Sequence, residues 1–195
     1  MNTATKIQTL DELLGDTTNT KKITNTKTMS NKVTPVRIIL TPETVAYCMT
    51  LAYGRDASKN QVGDPMTRCK TKIDKTKTSF GTNVEGIIGE VAARQHYGGK
   101  IDTSIRPEGD GHAPDLILAD GRGVEIKATP YNKRYEPKIN LYPHEVEFAD
   151  HFCLVAVQLP DIVYVYPIID RQELESKMKD HDYGYGNRKV YSYNS

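Results

Sequence analysis

The stretch HAPDLILADGRGVEIKAT, residues 112–129, sets Asp115, Glu125 and Lys127 inside two short apolar runs joined by a turn. Charged side chains are seldom fully buried without partners. Three of them in one hairpin are therefore either a solvated face or a reaction site. Alternation along a strand puts Glu125 and Lys127 on one face and Val124 and Ile126 on the other. With ADGRG as the turn and a three-residue loop over Asp120–Arg122, Asp115 falls opposite Lys127 and diagonal to Glu125, on the same face. Diagonal neighbours across a hairpin lie about 7 Å apart. That gap suits two carboxylates that share a bound cation instead of touching each other. Pro114 lacks an N–H and belongs at a strand start, so it opens the strand where the acid is needed.

The elements around the hairpin must hold these groups. Upstream, NVEGIIGEVAARQHYGG predicts a helix capped by Asn83 and stopped at Gly98 or Gly99. Val84, Ile87, Ile88, Val91 and Ala92 make its core face. Gly86, Gly89 and Ala93 lie on the opposite side with Glu90 beside them. Each glycine costs a helix about 1 kcal/mol relative to alanine, so another element is expected to approach this face closely. An earlier helix, TPETVAYCMTLAYG, has Thr41 as its cap, Pro42 at the first helical position and Glu43 in the first turn. Its predicted apolar stripe is Val45, Cys48, Met49 and Ala52. From Gly54 to Gly81 the chain reads as a loop or irregular arm on which Arg68, Lys70 and Lys72 alternate, as do Lys75 and Lys77. Extended, such an arm presents rows of cations; a solvated loop is the alternative. HFCLVAVQL and IVYVYPII read as strands, DRQELESKMKDH as a polar helix capped by Asp170, and YGYGNRKVYSYNS as an edge strand. Helices and strands in this order predict an α/β fold with a mixed sheet.

A chain of 195 residues can hold one domain with a real core. Its hydrophobic fraction of 37% is low for a compact globule, which fits a folded part diluted by a polar one. Residues 1–34, rich in Thr, Asn and Lys, read as a disordered tail, and residues 35–195 as the domain. Within the tail, IQTLDELLG has apolar residues at helical spacing and reads as a partner-binding helix or a frayed turn. Residues 1–80 hold 13 Lys/Arg against 7 Asp/Glu, while residues 81–195 hold 13 against 18. The front half is thus suited to phosphates and the back half to cations, within a net charge of only +1. No run of about 18 apolar residues is present, and the first residues show no apolar signal region, so the expected location is cytoplasmic and not at a membrane. Cys48, Cys69 and Cys153 are widely spaced and contain no CxxC, which reads as free thiols. His144, His151 and Cys153 match no closed zinc site.

Pro114-Asp115, nine residues, then Glu125-Ile126-Lys127 resembles the signature of the PD-(D/E)XK nuclease superfamily, and Glu90 on its GIIGE helix resembles the extra acid many members carry. EGIIGEVAARQHYG followed by GDGHAPDLILADGRGVEIKAT is similar to small bacteriophage and prokaryotic members, over about residues 80–170. The resemblance implies a restriction-endonuclease-like core, a mixed central β-sheet flanked by helices. It implies a deoxyribonuclease, acting as an endonuclease rather than an exonuclease. Asp115 and Glu125, with the backbone carbonyl of Ile126, would hold Mg²⁺, with Mn²⁺ able to substitute. Glu90 would support the metal directly or through water, and Lys127 would orient or help deprotonate the attacking water. Hard oxygen ligands and retained waters are what Mg²⁺ prefers. After the strand, TPYNKRYEPK sets Lys133, Arg134 and Lys138 among Tyr131 and Tyr135, a composition that suits a loop tracking a nucleic-acid backbone. His112 and Asp110 are lesser candidates beside the motif. Three readings stay open: a general nuclease, a branched-DNA resolvase or restriction-type enzyme acting as a homodimer, and a nucleic-acid-binding or host-interaction protein with weak catalysis.

Overall fold

The computed structural model describes residues 12–13, 33–62, 79–106, 113–182 and 187–194. Arg68, Lys70, Lys72, Lys75 and Lys77 lie outside the described residues, as do Cys69, Asp110, His112 and nearly all of residues 1–34. Two helices, α1 (Pro42–Val62) and α2 (Ser79–Tyr97), precede most of the strands. A short third, α3 (Arg171–Lys177), follows them. No helix among the described residues is long and apolar enough to cross a membrane.

Helix α1 starts as its sequence dictates. Thr41 Oγ1 accepts from the Thr44 N–H at 3.2 Å, and Pro42 takes the first helical position, where a missing N–H leaves no helical bond unmade. The composition predicts a stop at Gly54, yet the helix continues to Val62. A Cβ at Gly54 would stand 2.4 Å from Ile105 Cδ1, so this glycine admits a neighbour and does not end the helix. The buried stripe is Thr44, Cys48, Leu51 and Ala52, while Met49 is 46% exposed. Both this stripe and the predicted one fit a 3.6-residue period; where α2 lies against α1 selects between them.

Helix α2 begins at Ser79, ahead of the expected Asn83 cap. It ends as predicted. Gly98 has φ of 75° and its N–H reaches Arg94 O at 2.8 Å, a left-handed closure that favours glycine. Val84, Ile87, Ile88, Val91 and Ala92 are all buried. A Cβ at Gly89 would stand 2.4 Å from Val155 Cγ2 and 3.3 Å from Ala128 Cβ. The helix backbone therefore lies almost on the sheet at this point. Gly86 has nothing within 4 Å of such a Cβ, so only one of the two glycines serves the close approach. Gly89→Ala should destabilise the fold by about 1–3 kcal/mol through overpacking. Gly86→Ala should instead gain up to about 1 kcal/mol from helix propensity. Urea unfolding of the two variants checks the contrast, and equal midpoints would contradict it.

The main sheet runs in the order β1 (Val36–Ile39), β7 (Ile162–Val165), β6 (His151–Gln158), β4 (Gly123–Pro130), β3 (Leu116–Ile117) and β2 (Lys100–Ile101). A short β8 (Ile169–Asp170) also pairs with β6. Strands β4 and β6 are parallel, with Val124 beside His151 and Lys127 beside Leu154. The remaining pairs are antiparallel. The protein is thus α/β, with a mixed sheet flanked by helices. Phe152 to Val157 are all buried, because β6 is covered on both faces and reads as a continuous apolar run. On one face Cys153, Val155, Val124 and Ile126 join the buried residues of α1 and α2. On the other, Phe152, Leu154 and Ala156 meet a second sheet, β5 (Ile139–Leu141), β10 (Asn187–Tyr191) and β9 (Lys179–Asp182).

The C-terminal strand β10 is the middle of that second sheet and not an edge. Tyr191 and Tyr193 are its reason: both rings are buried in the second core. Asp170 caps α3 as expected, accepting from the Glu173 N–H at 2.7 Å. The fold holds the chain from slightly before Pro35, since the Val33 N–H donates to Asn194 Oδ1 at 2.7 Å.

Candidate active site

The β3–β4 hairpin turns one residue earlier than the composition suggests. The Leu118 N–H donates to Arg122 O at 2.9 Å and the Gly121 N–H to Leu118 O at 3.0 Å. The loop is Ala119–Gly121, and Gly121 has φ of 86°. A three-residue hairpin loop requires the left-handed conformation at its last residue, and the glycine stands at 121, not at Arg122. Leu116 therefore pairs with Val124 and Ile117 with Gly123. Continued by one step, this register sets Asp115 against Glu125, not against Lys127. A partner change of two residues keeps every side chain on its face, and directly opposed positions are nearer than diagonal ones.

Asp115 Oδ2 accepts from the Ile126 N–H at 2.7 Å, which fixes the carboxylate's orientation. The resemblance implies the Ile126 carbonyl as a ligand; the contact present is through its amide. Burial, followed by the charges of Glu125 and Glu90, raises the Asp115 carboxyl well above the usual carboxylate range, while the Ile126 amide and Lys127 oppose the shift without cancelling it. Two acids from the hairpin and one from α2 thus act on one place.

Glu90 Oε1 lies 3.6 Å from Arg55 Nη1, with the two side chains only 12% and 16% exposed. Arg55 is itself held by Asp102 O at 2.6 Å and Ser104 O at 3.4 Å. A helix that ends at Gly54 cannot predict this residue. Once α1 continues, Arg55 follows Cys48 and Ala52 on the same stripe, and the continued period is the signal that finds it.

Lys127 Nζ lies 2.9 Å from Glu125 Oε1 and 3.2 Å from Glu145 Oε1. Burial alone would lower its pKa, but the charges and hydrogen bonds of those two carboxylates outweigh burial and leave it raised. In this state Lys127 is an ammonium. It can donate to a water or an anion and cannot accept a proton. Glu145, which the hairpin motif does not predict, stands on a 3₁₀ turn (Pro143–Glu147) after β5. Its Oε2 accepts from the Tyr142 N–H at 2.5 Å. An acid three residues after a cap position is a turn-start signal. Nothing in the sequence says that this acid meets Lys127, because that depends on β5 lying over the sheet.

The two cysteines among the described residues are poor nucleophiles. Burial and the Glu90 charge push the Cys48 thiol up to about 12, and burial pushes Cys153 to about 12, so neither is a thiolate nucleophile. Among the described residues, no three His, Cys, Asp or Glu side chains converge into a ready metal cage. A hard divalent cation needs less, since Mg²⁺ takes one or two carboxylates and keeps several waters. The half-buried Asp115, with Glu125 and Glu90 acting on it, is donor chemistry that fits such an ion.

Lys133, Arg134 and Lys138 are exposed on the loop that follows β4. Of its two tyrosines, Tyr131 stacks on Tyr164 with centroids 4.3 Å apart, while Tyr135 is 72% exposed among the cations. Near the C-terminus Lys189 pairs with Asp180 at 2.8 Å and Arg188 covers the Tyr142 ring, so these cations serve packing. No family model matches the chain, and no curated protein matches it.

Proposed function

We propose that the protein is a metal-dependent nuclease that hydrolyses DNA phosphodiester bonds, as an endonuclease. One observation carries this reading: a half-buried Asp115 anchored by the Ile126 N–H, its carboxyl raised by desolvation and then by Glu125 and Glu90, on a hairpin whose Glu125 meets the Lys127 ammonium at 2.9 Å. Asp115 and Glu125 would hold Mg²⁺ or Mn²⁺, with the Ile126 carbonyl and Glu90 supporting. Bound there, the cation would supply Lewis-acid polarisation of a phosphate oxygen and a more acidic water. The chain's own part is separate. The Ile126 amide orients Asp115, Arg55 pairs with Glu90 at 3.6 Å, and the Lys127 ammonium orients a water and stabilises the charge that develops on phosphate. Lys133, Arg134 and Lys138, with Tyr135 exposed among them, suit the flanking nucleic-acid backbone.

The test is incubation of the purified protein with Mg²⁺ or Mn²⁺ and supercoiled, linear, single-stranded and branched DNA, with the cut ends mapped. Metal-dependent cleavage with internal cuts is expected. Preference for branched DNA by a species of dimer mass would assign the resolvase subclass. Binding of every form with no cutting would replace the nuclease reading by that of a nucleic-acid-binding protein.

A further inference from the structure

We propose that Glu145 is a positioning residue for the same reaction: it holds the Lys127 ammonium in place while Glu125 serves the cation. This rests on the nuclease reading. Lysine carries its charge on a flexible four-carbon stem, so one partner leaves the ammonium free to swing. In the structure it has two, Glu125 Oε1 at 2.9 Å and Glu145 Oε1 at 3.2 Å. The two are not equivalent. Glu125 shares its strand with Lys127, and in the nuclease reading its carboxylate turns to the metal, which weakens its hold on the lysine. Glu145 comes from outside the hairpin and has no such competing demand.

Glu145 is also well supported. Its second oxygen accepts from the Tyr142 N–H, and the Tyr142 ring is packed by Arg188 and by His144, stacked at 5.6 Å. Just before it in the chain, Ile139 and Leu141 of β5 are fully buried in the second core. A group meant to fix another side chain works best from a rigid element, and this one stands on the rim of the second sheet. Through Glu145 the second sheet thereby fixes a lysine on a strand of the first. The rival explanation is that Glu145 only caps the turn that begins at Tyr142.

A double-mutant cycle on single-turnover DNA cleavage separates the two, because coupled residues depart from additivity and independent ones do not. Glu145→Ala should slow cleavage about 10- to 100-fold, the usual range for a supporting residue around a reaction centre. DNA affinity should not change. Glu145→Gln, which keeps the shape and one accepting oxygen, should fall between it and the wild type. In a Lys127→Ala background, Glu145→Ala should bring no further loss. A folded Glu145→Ala that cuts at the wild-type rate, or losses that multiply in the double variant, would overturn the proposal. Should Glu145→Ala not melt cooperatively, Glu145→Gln carries the same cycle. Asp115→Asn run in parallel separates the two levels of inference. If Asp115→Asn cuts like the wild type, the placement of the nuclease site at this hairpin fails and takes Glu145 with it. If Asp115→Asn is dead while the Glu145 variants cut normally, only the role of Glu145 fails.

Discussion

Lys127→Ala is expected to cut DNA about 10²–10³ times more slowly than the wild type in single turnover, while binding it nearly as tightly. The ammonium is placed to act on charge that appears only as the phosphate is attacked, so its loss raises the barrier and leaves ground-state binding in place. The variant also leaves the Glu125 and Glu145 carboxylates, 17% and 22% exposed, without their cation. Leaving such groups unpaired costs on the order of 1–3 kcal/mol, so circular dichroism must first establish that the variant is folded at the assay temperature. Lys127→Arg keeps the charge but replaces a point donor by a planar fork, and should recover only part of the rate. Equal cleavage by folded Lys127→Ala and wild type would remove the lysine from the chemistry. A solvated Glu–Lys pair makes that opposite forecast, since such a pair contributes only about 0–1 kcal/mol to stability and nothing to catalysis.

Asp115→Asn should abolish cleavage and, in metal-free buffer, make the protein more stable. Both effects have the same cause. The Asp115 carboxyl is raised above its ordinary value of 3.8 in the folded state by burial and by Glu125 and Glu90. The folded protein therefore holds this proton more tightly than the unfolded chain does. Stability from this group is fully present below the unfolded value and is lost as pH rises toward the folded one. At neutral pH this carboxyl opposes folding, because the folded site favours its protonated form more than the unfolded chain does, and asparagine removes that opposition while its side-chain oxygen can still accept from the Ile126 amide. The expected gain is on the order of 1 kcal/mol, as for other functional residues held against stability. It should shrink at acid pH, where the wild-type carboxyl is protonated as well. Mg²⁺ should raise the wild-type melting temperature by binding the folded state, and should do little for Asp115→Asn. Thermal melts with chelator and with Mg²⁺, at neutral and acid pH, read all of this. A less stable Asp115→Asn in chelator, or equal Mg²⁺ shifts in both proteins, would contradict the assignment of Asp115 as the metal's carboxylate.

Local signals with one physical meaning were legible in the chain. Thr41 before Pro42 starts α1, Asp170 caps α3, and Gly98 closes α2, because each choice depends only on a few neighbouring backbone groups. The five-residue apolar face of α2 and the apolar run of β6 were legible too, since burial on one face or on two leaves a direct trace in residue type. So was the alternation that sets Asp115, Glu125 and Lys127 on one strand face, which survives a register change of two.

What needed the tertiary structure was every choice between locally equivalent options. Gly54 could end a helix or admit Ile105, and only the packing of residue 105 decides. The hairpin loop could be read one residue either way until the left-handed glycine was matched to its position. Met49 and Leu51 fit the same helical period, and the placement of α2 buries the second. Arg55 and Glu145 lie farthest from local reach. Arg55 meets an acid 35 residues further along the chain. Glu145 meets Lys127 only because β5 and its turn lie over the sheet face that bears the lysine. Short-range sequence determined which groups could do chemistry; long-range packing decided which of them are held together, because contact between distant residues follows from how sheets and helices stack and leaves no period in the chain.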